Sequence, residues 1–496
     1  MGQISDLPGE ASPERAGRSE ICPTFSTVWY YPNRYAPAMR GLACILLLLL
    51  PALAGDGITR TSSLAQLRAA VSQGTGIVEM PKGEMLLDSS LVIPKNAKGL
   101  YVRANPAGST LVLGEAFPDR AAIVADGVSD LRLEGFEVRG TRTDLKSDWS
   151  LPPVETSFAD FYSSNGILIR NSSRVTIRHV SFSLIRAYPV LANKTSGILI
   201  DSVSIKDCGT LNRAGRNNST GGILLEESTS QFTVRHCSIS HVLGNAIWTH
   251  SYATSPRSAG GLIGDNTISY VARDAIQIGH ATKITVERNR ADHIGFPPDA
   301  VDVDTSAYPV GLDTAGDVDL TAYVDNHFTD IDGHCIDLDG FHDGTVSRNV
   351  CLNRQSDAAY PFLHFGIVFG NNYPKMISKN VRVTDNDVEG FAFGGLFLIG
   401  SHNTIERNRF WDLNRRHCTG LATAGCTYRN EVEPGLLRSG IYLAPNGGRP
   451  VATRDNIIRD NTIEGPGMDR WCIGSAPDVK LENNVIANNR CIAASK

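Results

Sequence analysis

The stretch HCIDLDGFHDG, residues 334–344, alternates acidic and imidazole side chains with apolar ones before it breaks at glycine. Asp337 and Asp339 lie two positions apart, so on a strand they face the same side while the apolar residues face the other. His342 follows just beyond the glycine. Carboxylates and an imidazole this close in sequence are groups that bind metal ions or transfer protons.

A repeat from about residue 165 onward indicates which residues lie beside this stretch. An alternating strand is followed by a polar turn with asparagine and a short apolar pair, as in VRVTDNDV and HNTIERNRF. The recurrent asparagines are Asn266, Asn289, Asn326, Asn349, Asn386, Asn408, Asn461 and Asn484. Their separations are 22 or 23 residues, or 37 and 53 where segments are inserted. This period with short strands is typical of a parallel β-helix, in which coils stack about 4.8 Å apart and the asparagines form a hydrogen-bonded ladder.

The chain resembles the right-handed parallel β-helix proteins of the pectate-lyase-like superfamily over roughly residues 58–490. Residues 63–114 look like that group's opening, in which a short amphipathic helix, SLAQLRAAV, precedes a G-x-V-x-x-P-x-G strand pair. The resemblance implies an all-β fold, a right-handed parallel β-helix solenoid with a short N-terminal capping helix. It implies little about chemistry, since the superfamily contains lyases, hydrolases, epimerases and non-catalytic adhesins.

Between successive asparagines lies a second strand, and seven such strands can be aligned. They read NAIWTH, DAIQIGH, DAVDVD, HCIDLDG, FGIVFGN, GGLFLIG and SGIYLAP. Where the apolar column points inward, the intervening residues point outward. One outward column contains Trp248, Gln277, Asp302, Asp337, Val368, Phe397 and Tyr442. The next contains His250, Gly279, Asp304, Asp339, Gly370, Ile399 and Ala444.

This alignment predicts a patch of four carboxylates on adjacent coils, with Asp302 beside Asp337 and Asp304 beside Asp339. Carboxylates this close raise each other's pKa unless a cation or a shared proton relieves the repulsion. One chemistry that fits is a Ca²⁺ site built from all four, and Ca²⁺ is the cofactor candidate. A solvated charged face that keeps the sheet soluble is the alternative.

Glycoside hydrolysis also fits, with Asp302, Asp337 and Asp339 as catalytic carboxylates. Neighbours in one column lie about 5 Å apart and diagonal ones about 8 Å, which spans the retaining and inverting geometries and does not choose between them. A polysaccharide lyase would also need a base, and neither column contains Lys or Arg. His342 and His280 are therefore the candidates for this base, with His342 as the proton-transfer residue proposed, although a hydrogen-bonded turn residue explains each histidine equally.

Aromatic residues flank the acidic patch along the predicted axis. Sugar rings stack on aromatic faces, so a groove along this sheet fits a polymer. The predicted substrate-binding residues are Trp248, Gln277, Phe397, Tyr442 and His280. Inserted segments are predicted to wall the groove at residues 148–162, 305–321, 353–364, 371–379 and 411–437. Lys375, Arg415 and Arg416 in these segments are candidates to meet a substrate carboxylate.

The N-terminal region predicts export. Met39 and Arg40 precede the apolar run GLACILLLLLP and an Ala-Leu-Ala site, so residues 39–54 read as a signal peptide and residues 1–38 as an extension upstream of the true start. Residues 55–496 are then one β-helix domain, secreted or periplasmic, with no stable membrane association after signal removal. Eight cysteines remain in it, and Cys418–Cys426 and Cys472–Cys491 are the predicted bridges, with Cys237, Cys335 and Cys351 as buried thiols.

The net charge of −5 and the lack of a long basic run argue against nucleic acid as a partner. The sequence therefore predicts a secreted protein that cleaves an extracellular polysaccharide, for which an acidic polymer is a candidate, as a hydrolase or a lyase. The alternative is a non-catalytic carbohydrate-binding or adhesin-like β-helix.

Overall fold

The computed structural model of the protein describes residues 57–153, 155–217, 219–301, 308–420, 425–427 and 435–494. Residues 55–496 form one compact unit. The predicted upstream extension and signal peptide lie outside the described residues, so both stay predictions.

Helices are few and short. The predicted capping helix is present as α1, Leu64–Val71, which begins after Ser63, whose side chain accepts a hydrogen bond from the Gln66 amide. It buries Leu67 and Val71 against the first coils. In the described residues the other helical segments are α2, Phe158–Phe161, and the 3-10 turns Pro298–Ala300, Asp357–Ala359, Leu436–Arg438 and Leu481–Asn483. None of the helices in the described part of the chain has the length and apolar character needed to span a lipid bilayer.

Strands account for most of the regular structure. The first are β1 (Ile58–Arg60), β2 (Gly76–Glu79), β3 (Gly83–Leu87), β4 (Leu91–Ile93), β5 (Leu100–Arg103), β6 (Ser109–Leu113), β7 (Ala121–Asp126), β8 (Ser129–Glu134), β9 (Glu137–Arg139), β10 (Asn165–Arg170), β11 (Ser173–Arg178), β12 (Ser181–Ser183), β13 (Val190–Asn193) and β14 (Ser196–Asp201). The next are β15 (Ser204–Cys208), β16 (Gly221–Glu226), β17 (Ser230–Arg235), β18 (Ser238–Val242), β19 (Asn245–His250), β20 (Ser258–Gly264), β21 (Thr267–Val271), β22 (Ile276–Glu287), β23 (Arg290–Ile294), β24 (Val310–Asp319), β25 (Ala322–Val324), β26 (His327–Ile331), β27 (His334–His342) and β28 (Thr345–Ser347). The last are β29 (Val350–Leu352), β30 (Ile367–Gly370), β31 (Arg382–Thr384), β32 (Asp387–Glu389), β33 (Leu396–Leu398), β34 (Thr404–Glu406), β35 (Arg409–Trp411), β36 (Ile441–Leu443), β37 (Ile457–Arg459), β38 (Thr462–Gly465), β39 (Ile473–Ser475), β40 (Val485–Ala487) and β41 (Arg490–Ala493).

These strands pair in parallel and form three ladders along the molecule, which confirms the predicted parallel β-helix. The first ladder runs through β4, β7, β10, β13, β16, β19, β22, β24, β27, β30, β33, β36 and β39. The second begins at β1 and β2 and ends at β37 and β40, and the third runs from β3 to β41. The long strand β22 belongs to both the first and the second ladder.

Apolar side chains stack inside the coils because alternate residues of each strand face inward. In the first ladder one inward column contains Ile167, Val190, Ile223, Ile247, Ile276, Leu312, Ile336, Ile367, Leu396 and Ile441, all buried. The residues that alternate with them face outward, and it is this outer face that carries the polar groups predicted to act.

The predicted asparagine ladder is confirmed from Asn266 to Asn461. Each side-chain amide donates to the side-chain oxygen of the next asparagine at 2.8–3.0 Å. The prediction that Asn484 ends this ladder is wrong, because Asn461 donates to Asn489 and not to Asn484. Asn484 instead accepts from Asn456, which belongs to a second, shorter ladder at another turn.

From Asn266 to Asn461, the residue before each ladder asparagine is alternately acidic and basic, a pattern that the sequence alignment missed. These residues take a left-handed backbone conformation and form side-chain pairs, each with two hydrogen bonds of 2.7–3.0 Å: Arg288 with Asp265, Arg348 with Asp325, and Arg407 with Asp385. Because the pairs are exposed to solvent, each contributes little to the stability of the fold.

Three disulfides lie in the described residues. The two predicted bridges are present, Cys418–Cys426 and Cys472–Cys491. Cys335 and Cys351 are not free thiols as predicted, because they form the third bridge. Both are inward residues of one coil, on β27 and β29, and strand alternation does not reveal that two such positions meet across the interior. Cys237 is a buried free thiol, as predicted.

Candidate active site

The strand beside HCIDLDG is β24 and not DAVDVD. β24 lies between β22 and β27 and pairs with both, although the sequence pattern assigns all of it to an inserted loop, residues 305–321. In this register Asp313 is the Cα partner of Gln277 on one side and of Asp337 on the other. The outer face therefore carries an aspartate cluster of Asp313, Asp337 and Asp339.

The predicted strand order, with DAVDVD directly beside HCIDLDG, is therefore wrong, because β27 pairs with β24 on one side and with β30 on the other. Asp302 and Asp304 themselves lie outside the described residues. The Ca²⁺ site predicted on them together with Asp337 and Asp339 stays a prediction.

A bulge in β24 explains why its sequence does not show the alternation expected of a strand. The register shifts beyond Ala315, where Gly316 and Asp317 interrupt the alternation. DAVDVD alternates better, which made it the better match by pattern alone. A spacing signal was available, because Leu312 precedes Asn326 by 14 residues and Ile336 precedes Asn349 by a similar 13.

The Asp313 carboxyl has an unusual environment. Its residue is only 8% exposed, and burial raises the pKa of Asp313 to about 6. The nearby charge of Asp339 acts in the same direction, whereas a hydrogen bond from Gln277 and the charge of Arg273 oppose it. A carboxyl with this pKa carries a proton in mildly acidic solution and can donate it.

Gln277 positions Asp313. Its side-chain amide donates to Asp313 Oδ2, and its oxygen accepts a hydrogen bond from Asn245 Nδ2 at 2.8 Å. Asn245 Oδ1 in turn accepts from the main-chain amide of Asp274 at 3.2 Å. Because both ends of the Gln277 amide are engaged inside the protein, we assign Gln277 to holding Asp313 and not to direct substrate binding.

Asp339 is held from the side of an inserted loop, residues 371–378. Asn372 donates its main-chain amide to Asp339 Oδ1 at 3.2 Å and its side-chain amide to Asp339 Oδ2. The next residue, Tyr373, is 67% exposed. The loop is fixed by a hydrogen bond from the Met376 amide to the Tyr373 carbonyl, 3.0 Å, and by Asn371, which accepts from the amides of Gly447 and Arg449. Tyr373 is thus an exposed ring on an ordered loop beside the aspartate cluster, and no repeat pattern singles it out.

His342 lies in a clamp of carboxylates. Its Nε2 is 3.0 Å from Asp317 Oδ1 and its Nδ1 is 2.7 Å from Asp343 Oδ2. Because both ring nitrogens are engaged in these contacts, the structure does not single out His342 for proton transfer, and that role stays a prediction.

His280 lies on β22, opposite the bulge of β24 and directly after Gly279 of the outward column. Its Nδ1 accepts a hydrogen bond from the Asp317 amide at 3.3 Å. Burial lowers its pKa, and the charges of Arg257 and Lys375 contribute to the shift. The structure thus places His280 beside the Asp317 clamp, and its substrate-binding role stays a prediction.

The three aromatic residues predicted to stack on sugar rings do share the outward column, but their rings are covered. Trp248 packs under Phe158, with ring centroids 5.4 Å apart. Phe397 and Tyr442 are 5% and 0% exposed and pack on each other. In this structure these rings are packing residues and do not form an open stacking surface. Strand alternation correctly places these three residues on the outer face of the first ladder. Whether an inserted segment covers their rings depends on contacts between residues distant in sequence.

Two of the three cations suggested for a substrate carboxylate are engaged elsewhere. Arg415 donates to the main-chain carbonyls of Asn353 and Gln355, and Arg416 donates to those of Gly425 and Pro361. These contacts fasten the inserted segments to one another. Lys375, on the same loop as Tyr373, is exposed.

Comparisons with known proteins concern the fold. A family model described as "Right handed beta helix region" matches residues 122–306. The chain is a right-handed parallel β-helix. This confirms the handedness implied by the resemblance in sequence.

Solved structures of low sequence identity are also similar. PfbA, a surface adhesin of Streptococcus pneumoniae, is 15% identical, with 71% of this chain and 86% of that chain covered and a TM-score of 0.47. The Dettilon tailspike protein is 11% identical, with 71% and 66% covered and a TM-score of 0.41. The Agl-KA catalytic domain is 12% identical, with 86% and 64% covered and a TM-score of 0.44. A search of curated proteins finds no match to this sequence.

Proposed function

We propose that this protein is a secreted glycoside hydrolase that cleaves an extracellular polysaccharide. The observation that carries the proposal is the aspartate cluster, in which Asp313 and Asp337 face outward on adjacent strands. Burial gives Asp313 a pKa of about 6, so one of two neighbouring carboxyls can hold a proton while the other is ionised. Such a pair is what glycoside hydrolysis needs.

In this mechanism Asp313 is the acid. It donates its proton to the glycosidic oxygen as the bond from that oxygen to the anomeric carbon breaks. The electron deficiency at the anomeric carbon is met either by a carboxylate, as nucleophile, or by a water molecule that gives its proton to that carboxylate. Asp337, about 5 Å away on the adjacent strand, suits the first route, and Asp339, about 8 Å away on the diagonal, suits the second. The anomeric configuration of the first product distinguishes them.

The exposed groups beside the cluster support a polymeric sugar substrate. Tyr373 offers a ring face of the kind on which sugars stack, next to Asn372, which holds Asp339. Lys375 on the same loop is an exposed cation, which supports an acidic polymer among the candidates. The described residues of the two outward columns from β19 to β36 include no Lys or Arg, which favours a hydrolase over a lyase.

Export is part of the proposal. Three disulfides in the described residues are typical of proteins from oxidising compartments. They agree with the signal peptide predicted at residues 39–54.

A screen of neutral and acidic polysaccharides tests the proposed function. Each polymer is incubated with the protein and with an Asp313→Asn variant, and reducing ends and near-ultraviolet absorbance are followed together. Hydrolysis releases reducing ends without absorbance, whereas elimination also produces an absorbing unsaturated uronate. Reducing ends from the wild type alone support the proposal. Absorbance that rises with cleavage would replace it with a lyase, and binding without any cleavage would replace it with a carbohydrate-binding protein.

A further inference from the structure

A second group of ligand-type side chains lies on the same outer face, away from the aspartate cluster. Glu226, Glu227 and His250 each place one oxygen or nitrogen atom within 4.8 Å of those of the other two. Glu226 and His250 are Cα partners on the adjacent strands β16 and β19, and Glu227 directly follows β16. Two further strands of the ladder, β22 and β24, separate this group from Asp339 on β27.

The two carboxyl groups are both buried. Glu226 is 0% exposed and Glu227 is 3% exposed. Among the described residues, no Lys or Arg forms an ion pair with either. A pair of adjacent buried carboxylates is costly unless a cation or a proton joins it.

The surrounding hydrogen bonds orient the carboxyl groups. Glu226 accepts from the main-chain amides of Phe158 and Ala159, at 2.5 and 3.1 Å, and from Asn193 Nδ2 at 2.9 Å. Glu227 Oε1 accepts from the Tyr252 amide at 3.1 Å. Such hydrogen bonds are what hold carboxylate ligands in place around metal ions, and each oxygen keeps a further lone pair.

His250 supplies the independent sign of a ligand. Its Nδ1 is buried and has no hydrogen-bond partner in the described part of the chain. The ring is fixed between Phe158 and Trp248, with centroids 5.1 and 5.0 Å away. A buried imidazole nitrogen without a partner is costly unless something binds it.

We propose that Glu226, Glu227 and His250 bind a divalent transition-metal ion of the zinc class. One imidazole nitrogen and two carboxylate oxygens are ligands that Zn²⁺ accepts, whereas Ca²⁺ requires six to eight oxygens. The ion neutralises the two carboxylates and occupies the imidazole nitrogen. Since Glu226 also holds the amides of Phe158 and Ala159, the ion fastens the segment around α2 over Trp248.

Zinc binding to the whole protein tests this inference independently of any polysaccharide. The protein is stripped with a chelator, dialysed and titrated with ZnCl₂, by calorimetry and in competition with a chromophoric chelator. We expect about one zinc ion per chain and a higher melting temperature with zinc, because the ion binds the folded state alone. CaCl₂ at the same concentration has no effect.

Two variants and a control locate the site. Glu227→Gln and His250→Gln keep hydrogen-bonding atoms in place but are expected to lower zinc affinity at least tenfold. His179→Gln, the same change at an exposed turn position, leaves it unaltered. A folded wild type that takes up no zinc would overturn the inference, as would folded variants that bind it as tightly as the wild type.

X-ray absorption at the zinc edge identifies the atoms bound to the metal in the wild-type protein, without any variant. We expect one imidazole with oxygen neighbours. Sulfur ligands or several imidazoles would overturn the assignment.

Discussion

Asp313 and Asp337 are Cα partners on the adjacent parallel strands β24 and β27, and both side chains face the outer side of the β-helix. Parallel pairing places adjacent strands about 4.8 Å apart, so the two carboxyl groups can reach the same substrate. Gln277 holds Asp313 from the strand before. The outer face is a candidate for acid and base chemistry because β24 and β27 place these two carboxyl groups side by side. No single sequence motif shows this arrangement.

The exposed ring of Tyr373 is predicted to bind substrate. Tyr373→Ala removes a sugar-stacking face without disturbing Asn372, so KM should rise and kcat/KM should fall about 3- to 10-fold, while kcat changes little. Steady-state kinetics on the polysaccharide identified by the screen measures both constants. Tyr270→Ala is the matched control, because Tyr270 is also exposed but lies on β21 of the third ladder. Equal KM values for Tyr373→Ala and the wild type would remove the proposed stacking role.

The contribution of two buried aspartates to stability is predicted to fall as pH rises from about 4 to 7. Burial raises the pKa of Asp332 to about 7, as it raises that of Asp313 to about 6, both from an ordinary 3.8. At these two sites the folded state therefore binds more protons than the unfolded state, and their contribution, complete below about pH 4, is lost as pH rises through the folded pKa values. Asp332 alone can account for at most about 4 kcal/mol.

The Asp332→Asn variant isolates the contribution of Asp332 to the pH dependence of stability. The amide oxygen can still accept the hydrogen bond from the Phe362 amide, so the variant should fold, and its free energy of unfolding should change less between pH 5 and 7 or so. Denaturant titrations at the two pH values measure the difference. Asp130→Asn, at an exposed carboxyl whose pKa Arg174 lowers, keeps the wild-type slope over this range. The same slope in Asp332→Asn as in the wild type would contradict the prediction.

An asparagine at the centre of the ladder is predicted to contribute more to the free energy of unfolding than one at its end. Asn349 donates to the Tyr323 carbonyl and to Asn386, and accepts from the main chain and side chain of Asn326. Asn349→Ala leaves these buried partners unsatisfied and should lower the free energy of unfolding by about 3 kcal/mol or more.

Asn489→Ala is the comparison at the end of the ladder. Asn489 is partly exposed, so water can replace its bonds, and we expect a loss of about 1 kcal/mol. Urea denaturation of both variants compares them. Equal losses at the two positions would show that the ladder is not a continuous buried network.

The sequence was sufficient to predict the parallel β-helix, the capping helix and the outward direction of Asp337 and Asp339, because period-two alternation and a fixed repeat reflect local geometry. It failed at β24, where the bulge at Gly316 and Asp317 hides the alternation. Asp313 was therefore missed, although the spacing to Asn326 could have revealed it. A local pattern does not distinguish an irregular strand from an inserted loop.

Burial of the outer face could not be predicted either. Trp248 occupies the outward position expected of it, but Phe158, which is 90 residues earlier, covers its ring. Glu226 and Glu227 likewise became a buried pair because the segment around α2 lies over them. Such coverage is decided by contacts distant in the chain, which alternation does not encode.

Turnover by Asp337→Asn tests the central claim most directly. Asparagine retains the size of the side chain but cannot act as base or nucleophile, so kcat should fall by about 10³-fold or more, while circular dichroism and the melting temperature match the wild type. Asp130→Asn, on β8 and away from the cluster, should retain full activity. A folded Asp337→Asn protein that cleaves the polysaccharide as fast as the wild type would contradict the assignment of the aspartate cluster as a catalytic site.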